Sequence, residues 1–388
     1  VTLSRKNVEE YVTSLETTDE MRRVAAQNIE TSFKELDSQI EKGDIPLEFA
    51  KSAAMIQKMS LPTSSAILDS LSGQIYASAQ ALTFQQSETV NKDLSNRLVM
   101  LGTLDNLGEK AGIWVTGIGS NGRLRRDGYG VGKSRLYGGQ VGIDRVFGNS
   151  LILGTALSYS RTDVKFDRYG GESKGTNFGV SLYGRLGNKE VPYYLQGRIG
   201  VGFVDSDVER DILLGTGSVT RAKINHDDRV YSGYLESGYN FIRNGMTLTP
   251  FVGLSHDTVV RGSFREENSQ FGLSSEKAKY HQTSGLLGLR LGKKMVWSNG
   301  IVTTIQGYVT HQMDFKEEDL SFEASYTGLS GAKFRVRGIG LPKDRTWTGL
   351  GVLTEVNPNI SWYVNYDAKI EKKKINNNVF TTGFRINF

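Results

Sequence analysis

Two periodicities divide the chain. From Val1 to about Leu107, apolar residues recur every three or four positions among Glu, Lys, Gln, Ser and Ala, which predicts helices. Met21, Ala25, Ile29, Phe33, Leu36 and Ile40 form one stripe, closed by Gly43, a residue suited to follow a helix end. Thr17 and Glu20 have capping-box spacing at its start, without an apolar staple, because Glu16 occupies the staple position and Leu15 stands one residue too early. Pro46 and Pro62 bracket a shorter helix over Leu47–Met59. A third helical stretch follows Pro62 with Ile67, Leu68, Leu71, Ile75 and Ala79 on one face. Its continuation from Gln85 to Arg97 is polar apart from Val90 and Leu94, and a helix of that kind needs polar surroundings or water.

From Ala111 the period becomes two. Twelve strands are predicted, at about 112–124, 132–147, 151–164, 174–187, 191–207, 227–243, 246–260, 277–292, 300–313, 343–356, 360–371 and 377–388. In 360–370, Ile360, Trp362, Val364, Tyr366, Ala368 and Ile370 alternate with Ser361, Tyr363, Asn365, Asp367 and Lys369. The connections at Gly148–Ser150, Asn188–Glu190, Asn244–Gly245, Gly292–Asn299 and Asn357–Asn359 are short, whereas Val208–His226, Arg261–Glu276 and Asp314–Pro342 are long. An even strand number, with tight turns at one end and long loops at the other, predicts a transmembrane β-barrel of the bacterial outer-membrane type. The strands exceed both the roughly 9–11 residues a tilted span needs and the usual length in soluble sheets. The inner face of such a barrel carries Gln140, Asp144, Arg185, Gln196, Arg198, Glu236, Arg290, Glu355, Asp367, Lys369 and Arg385, a wet and charged lumen. Tyr137, Tyr193, Tyr231, Tyr239, Trp362 and Tyr366 fall on the opposite face or near strand ends, where interfacial aromatics belong.

Composition narrows the chemistry. There are 45 glycines in 388 residues, no cysteine and four histidines, so disulfides, thiol catalysis and cysteine-ligated metals are excluded, and no cofactor is expected. The net charge of +5 is spread along the chain without a long basic cluster, which argues against nucleic acid. No run of 18 apolar residues occurs, so a membrane-spanning helix is excluded while a barrel is not. The start at Val1, with neither Met nor an apolar signal core, reads as a piece of a longer precursor.

The order of helix, polar helix and twelve-strand barrel resembles the translocator end of monomeric (type Va) autotransporters. Two stretches carry the likeness. Leu68-Asp69-Ser70-Leu71-Ser72-Gly73-Gln74-Ile75-Tyr76-Ala77-Ser78 is similar to the LSG-x-x-x-AS junction that precedes such β-domains, and Gly112-Ile113-Trp114 to their opening strand. Phe384, Ile386 and the terminal Phe388 resemble the C-terminal signal read by barrel-assembly machinery. The LSG version is most similar to the subtilisin-like serine-protease autotransporters. The resemblance implies a helical region over 1–62 that is a passenger tail or linker, a junction and pore-spanning helix over 63–110, and the barrel over 111–388. It also implies a location in the bacterial outer membrane as a monomer among outer-membrane lipid, assembly by that machinery with periplasmic chaperones, and secretion or surface display of an N-terminal passenger. The helix would then plug the pore. At about 1.5 Å per residue, Thr83 to Gly102 is long enough for a bilayer. Its polar residues Asn91, Lys92, Asp93, Asn96 and Arg97 would face the lumen, with Lys92, Asp93 and Arg97 paired to Glu236, Arg198, Arg290 or Glu355. Relatives that cut themselves inside the barrel do so at an Asn-Asn bond. This helix has Asn91-Lys92 and Asn96-Arg97 only.

A diffusion porin is the main competitor, but it has no use for the first hundred residues. A barrel protease would need an acid–histidine couple at the rim. His226-Asp227-Asp228 lies there, yet His226 and Asp227 point to opposite faces, and a solvated loop end is the simpler reading. A barrel lipase is opposed by the unequal parity of His281 and Ser284, and His256, His281 and His311 are expected to stand singly on three strands. No catalytic motif is present.

Overall fold

The computed structural model describes residues 4–15, 18–58, 61–108, 110–215 and 217–388. Five helices precede the strands: α1 (Val8–Thr13), α2 (Glu20–Glu41), α3 (Leu47–Gln57), α4 (Leu61–Leu71) and α5 (Gln74–Leu101). Thr17 and Met59 lie outside the described residues. Asp19 caps α2, its side chain accepting from the Arg22 amide at 3.1 Å, so Glu20 opens the helix and its carboxylate turns to Arg126. The predicted stripe is buried from Met21 to Leu36, whereas Ile40 is exposed. The helical stretch expected to run on past Leu71 is broken instead. Gly73 sits at φ +63°, where a side chain is strained and a Cβ would press on Leu273 and Val336, so the LSG junction is a corner between α4 and α5.

Twelve long antiparallel strands form the wall: β1 (Ala111–Leu124), β2 (Gly132–Phe147), β3 (Leu151–Phe166), β4 (Gly171–Leu186), β5 (Tyr193–Gly215), β6 (Ser218–Tyr239), β7 (Met246–Arg261), β8 (Ala278–Val296), β9 (Val302–Asp314), β10 (Asp344–Asn357), β11 (Ile360–Glu371) and β12 (Lys374–Asn387). Each pairs with its neighbours in sequence, and β12 closes on β1 with Asn387 opposite Gly112. Closure leaves no unpaired edge, which a lipid-exposed sheet requires. Outward positions carry Ile113, Val115, Leu153, Leu157, Leu182, Ile199, Leu254, Leu287, Leu350 and Val364, all exposed. Aromatic residues bound this band, with Tyr137, Tyr159, Phe178 and Phe203 toward one end and Tyr193, Tyr239 and Trp362 toward the other. From Tyr193 to Phe203 the strand rises about 33 Å, or about 25 Å along the barrel axis at a tilt near 40°, the height of a bilayer core. No helix among the described residues is long and apolar enough to cross a membrane. The wall itself does so.

The region 208–226, expected as a loop, is strand. β5 and β6 stay paired up to Gly215 and Ser218, with Val208, Ile212 and Ala222 turned inward and buried and Asp207, Glu209, Arg221 and Lys223 on the outer side. The alternation is regular, but its outer face is charged because it stands beyond the apolar band. The other two long connections each fold in part. Phe264–Arg265, Leu273–Ser275, Phe322–Tyr326 and Leu329–Val336 make a small second sheet over the wide end. Helices α1 to α4 pack on it and on the β5–β6 hairpin around a train of rings. Phe49 stacks on Phe271 at 4.7 Å, Phe271 meets Tyr326 at 4.7 Å, and Tyr326 meets Phe334 at 4.7 Å. The stripe of α2 thus packs within this cap. Asp69 of α4 ties it down, accepting from Arg22 at 2.9 Å and from Arg168 at 2.8 Å. Arg168 and Tyr169 both have positive φ, the backbone of a tight hairpin turn between β3 and β4.

Glu30 anchors the outermost helix. It accepts two hydrogen bonds from Arg5, at 2.7 and 2.9 Å, and one from the Val8 amide at 2.8 Å. Burial pushes its pKa up, but the Arg5 and Val8 contacts prevail and hold it below the usual carboxylate value. The stabilisation is therefore present above the ordinary glutamate pKa and is lost as pH falls through the lowered one. We expect Glu30→Gln to weaken protection of the α1 and α2 amides by about 1–3 kcal/mol at pH 7. The gap from wild type should close below about pH 4, measured by hydrogen exchange. A gap that persists at low pH would show that the charge of Glu30 is not what matters.

Candidate functional site: the plugged lumen

The helix α5 runs down the inside of the barrel. Its 28 residues span about 42 Å, enough to pass from the cap to the opposite rim. All but a few are buried, polar ones included, so the lumen wall must supply their partners. At the wide end Gln74 exchanges hydrogen bonds with the backbone of Gly130 at 2.7 and 3.0 Å, and the Tyr76 hydroxyl donates to Glu266 at 2.8 Å. Arg210 holds the same carboxylate at 2.7 Å and donates to the Ser70 carbonyl at 2.6 Å, joining β5, a cap loop and α4 in one buried contact.

In the middle, Glu88 accepts from Trp347 at 2.9 Å and lies 3.3 Å from Arg345 and 3.4 Å from Lys369. Asn91 donates to Ser232 at 3.1 Å, and the Lys92 ammonium lies over the rings of Tyr308 and Trp347, 4.3 and 5.3 Å from their centroids. Asp93 accepts from Gln140 at 2.7 Å, and Asn96 donates to Asp367 at 3.0 Å. Arg97 is 3.7 Å from Asp144 and stands over Trp114 at 4.8 Å. Asp144 also binds Arg385 and accepts from Tyr183 at 2.7 Å, and Tyr183 in turn accepts from Trp114 at 2.7 Å. The predicted helix residues therefore do reach the wall, but through other partners than those expected. Glu236 is taken by Tyr194, Tyr234 and Arg290 of the wall itself. Arg198 donates to Ser95 at 3.1 Å, Arg185 binds Gln196, and Glu355 lies too far down for any of the three charges. Register decides this, since each helix turn meets whichever strand residues share its level. Parity gives a direction, inward or outward, but no level along the barrel axis. Glu88, Arg345 and Trp347 are additional members, the first a residue of the polar helix itself and the other two visible in the sequence only as inward strand positions level with it.

At the narrow end Glu355 accepts the amides of Asp105 and Asn106 at 2.6 and 2.8 Å, and Lys294 caps the helix end through the Thr103 carbonyl at 2.7 Å. Lys294 and Lys189 pair with Asp105, whose burial alone would raise its pKa, and hold it below the usual range. Beneath lies a cavity of about 680 Å³ between Leu101, Arg185, Tyr194 and Arg290, while beside the middle of the helix the open space is about 60 Å³. The helix fills the middle of the channel and leaves the cavity past its end.

The histidines differ from expectation. His226 is buried, its Nδ1 2.7 Å from Asp228, whose carboxylate also accepts from the Gly262 amide at 2.9 Å. It is not a solvated loop end, because the hairpin extends past it and its i+2 neighbour shares its face. Asp227 is exposed on the other side. His256 and His281 do not stand singly but stack at 5.7 Å on the outer wall, bridged by Thr258, while His311 faces Thr346. Ser284 points inward to Ser255 at 2.8 Å, away from His281.

A closed twelve-strand barrel with a lipid-height apolar band, filled by a polar helix that enters from the capped end, is a plugged outer-membrane pore. The autotransporter β-domain family model matches residues 113–367, and the chain belongs to that family. It is 26% identical to outer membrane protein A of Rickettsia conorii over 69% of this chain and 14% of the relative. It is 23% identical to an extracellular serine protease of Serratia marcescens over 80% of this chain and 30% of the relative. The chain thus spans less than a third of the length of these relatives. In fold it is similar to the translocator domain of the autotransporter NalP from Neisseria meningitidis (TM-score 0.64, 20% identity, 81% of this chain and 99% of that one). It is also similar to the β-domain of the Bordetella autotransporter BrkA (TM-score 0.55, 19% identity, 72% and 100%). The barrel is an outer-membrane domain.

Asp144 faces two buried cations. Asp144→Asn strands both Arg97 and Arg385, and we expect a loss of about 3–5 kcal/mol, against a smaller loss for Arg97→Met, which removes one cation and keeps the volume. Urea unfolding followed by the gel shift of folded against unfolded barrel would measure both. Equal losses would mean that the aspartate serves only one partner.

Proposed function

We propose that this chain is the export and anchoring unit of a longer polypeptide. In this reading the narrow end of the barrel faces the periplasm, the cap faces the cell surface, and α5 stays in the pore as a plug after the upstream passenger has crossed. The observation that carries it is the course of α5: the chain comes in from the wide, capped end, traverses the lumen in contact with every level of the wall, and only then enters β1. We assign residues 1–62 to a lid or linker at the outer mouth, 63–110 to the junction and plug, and 111–388 to the barrel. Asn91, Lys92, Asp93, Asn96 and Arg97 hold the plug against the wall. Asp144, Arg185, Arg198, Glu236, Arg290, Glu355 and Arg385 line a polar track that suits an unfolded chain in transit. The barrel works as a monomer and catalyses nothing itself. Phe384 and Ile386 lie exposed on the outward face of β12, next to the seam with β1, and Phe388 is exposed just past the strand's end. That position supports their reading by barrel-assembly machinery after delivery by periplasmic chaperones.

The test is accessibility of an epitope placed before Val1 in cells that express the chain behind a signal peptide. Exposure to antibody and external protease on intact cells, with a periplasmic marker protected, is expected. An epitope found only after permeabilisation would overturn the reading. In planar bilayers the intact chain should conduct weakly, and removal of residues 85–104 should raise conductance severalfold; equal conductance would count against the plug. Deleting Phe388 should sharply reduce the amount of folded barrel in the outer membrane, judged by gel shift, and normal assembly would remove the terminal residue from the signal.

A further inference from the structure

Above the aromatic boundary of the apolar band, the outer wall is charged unevenly. On β5 and β6 the basic residues have carboxylates beside them, with Arg221 2.6 Å and Lys223 3.0 Å from Glu209. On β1 to β3 the pattern is different. Arg123 stands directly opposite Lys133, and Lys133 directly opposite Lys165, so three adjacent strands present like charges in one row. Like charges at such cross-strand positions destabilise a sheet. Arg135, one outward position below Lys133, widens the row; it stands opposite Asp163, which pairs with Arg161 at 3.4 Å, and the four basic side chains are all exposed. Among the described residues Arg123, Lys133 and Arg135 have no carboxylate within ion-pair distance, and Lys165 reaches only Glu172 at 4.0 Å.

The height of this patch is set by the girdle beneath it. Tyr137 is the outward residue next below Arg135, and Tyr159 lies opposite Gly139 on the neighbouring strand, both exposed. Two residues raise a tilted strand by about 5 Å along the axis, so Arg135 stands about 5 Å and Lys133 about 10 Å beyond the aromatic ring. The polar headgroup layer is about 5–7 Å deep on each side of the hydrocarbon core, so the backbone of Arg135 stands within it and those of Lys133, Arg123 and Lys165 at its outer edge, from which long side chains reach back. The repulsion built into the sheet is thus placed where membrane headgroups meet the wall.

We propose that Arg123, Lys133 and Arg135, with Lys165 at the edge, bind the phosphate groups of an anionic lipid headgroup in the leaflet around the wide end. This rests on the membrane reading above, and the leaflet is the outer one if the cap faces the cell surface. Guanidinium and ammonium groups on directly opposed positions of neighbouring strands suit a headgroup with more than one phosphate, and the tyrosines below receive its acyl chains.

The test uses the full chain folded in non-ionic detergent micelles, titrated with bis-phosphorylated lipid A, with the same glycolipid stripped of phosphate, and with inorganic phosphate. The readout is the thermal midpoint of the folded-to-unfolded gel shift. Lipid A is expected to raise the wild-type midpoint. The triple variant Arg123→Gln, Lys133→Gln, Arg135→Gln, altered only at exposed positions and checked for its folded gel shift, should need about a hundredfold more lipid, on the basis of roughly fivefold per cation. The pair Arg221→Gln, Lys223→Gln should respond like wild type. The proposal is overturned if the triple variant titrates like wild type, or if the stripped glycolipid or inorganic phosphate stabilises equally. Because the assay is independent of which end faces outward, its failure leaves the epitope result standing, and an inverted epitope result leaves the headgroup site standing in the other leaflet.

Discussion

Charge cannot stay unpaired inside a closed wall, and most of this molecule follows from that constraint. The barrel turns its apolar residues outward because lipid is there, so its polar residues have only the lumen to occupy. The lumen is too narrow to keep them all in bulk water. Asp144 shows the consequence: it neutralises Arg97 from the helix and Arg385 from the last strand while accepting from Tyr183. A single carboxylate thereby joins the plug, the seam of the barrel and the opening strand that carries Trp114. Glu88 does the reverse from the helix side, serving two cations and an indole of the wall. The glycines help, since Gly142 and Gly154 leave room for the Trp114 and Tyr183 rings.

Much of this was legible in the residue pattern. Period-two alternation marks the twelve strands, apart from the outer half of the β5–β6 hairpin, because alternation against lipid is enforced along the apolar band. The helix in the lumen was legible as a polar stretch that lipid would reject and that needs water or a polar wall around it. Its partners were not, since parity gives a direction but no height, and Arg97 meets Asp144 rather than Glu355 only through the stagger of the strands. The cap was hidden for another reason. Its residues come from α1 to α4, the β5–β6 hairpin and two separate connections, and short pieces such as Leu273–Ser275 carry no period of their own. The hairpin was misread because charged outer positions beyond the apolar band look like a loop when they are scored for hydrophobicity.

The cap and the plug are one mechanical unit. Gly73 turns the chain from α4 into α5 without a flexible linker, and Arg210 bolts the corner through Ser70 and Glu266. The rings of Tyr76 and Phe264, 4.3 Å apart, continue the cap core into the first turns of the helix. What closes the wide mouth is therefore fixed to what fills the channel.

The course of α5 also decides how the barrel carries load. A pull on the residues upstream of α1 is met first by the ties between cap and rim, Asp69 with Arg168 and Arg210 with Ser70 and Glu266. Past them it runs down the helix axis and along the chain to the start of β1, so the wall is then drawn from its far side. The contacts along the lumen are then strained lengthwise and together, rather than opened one after another from the edge. With a cap wider than the channel at one end and a covalent tether at the other, the helix is shaped as a rivet.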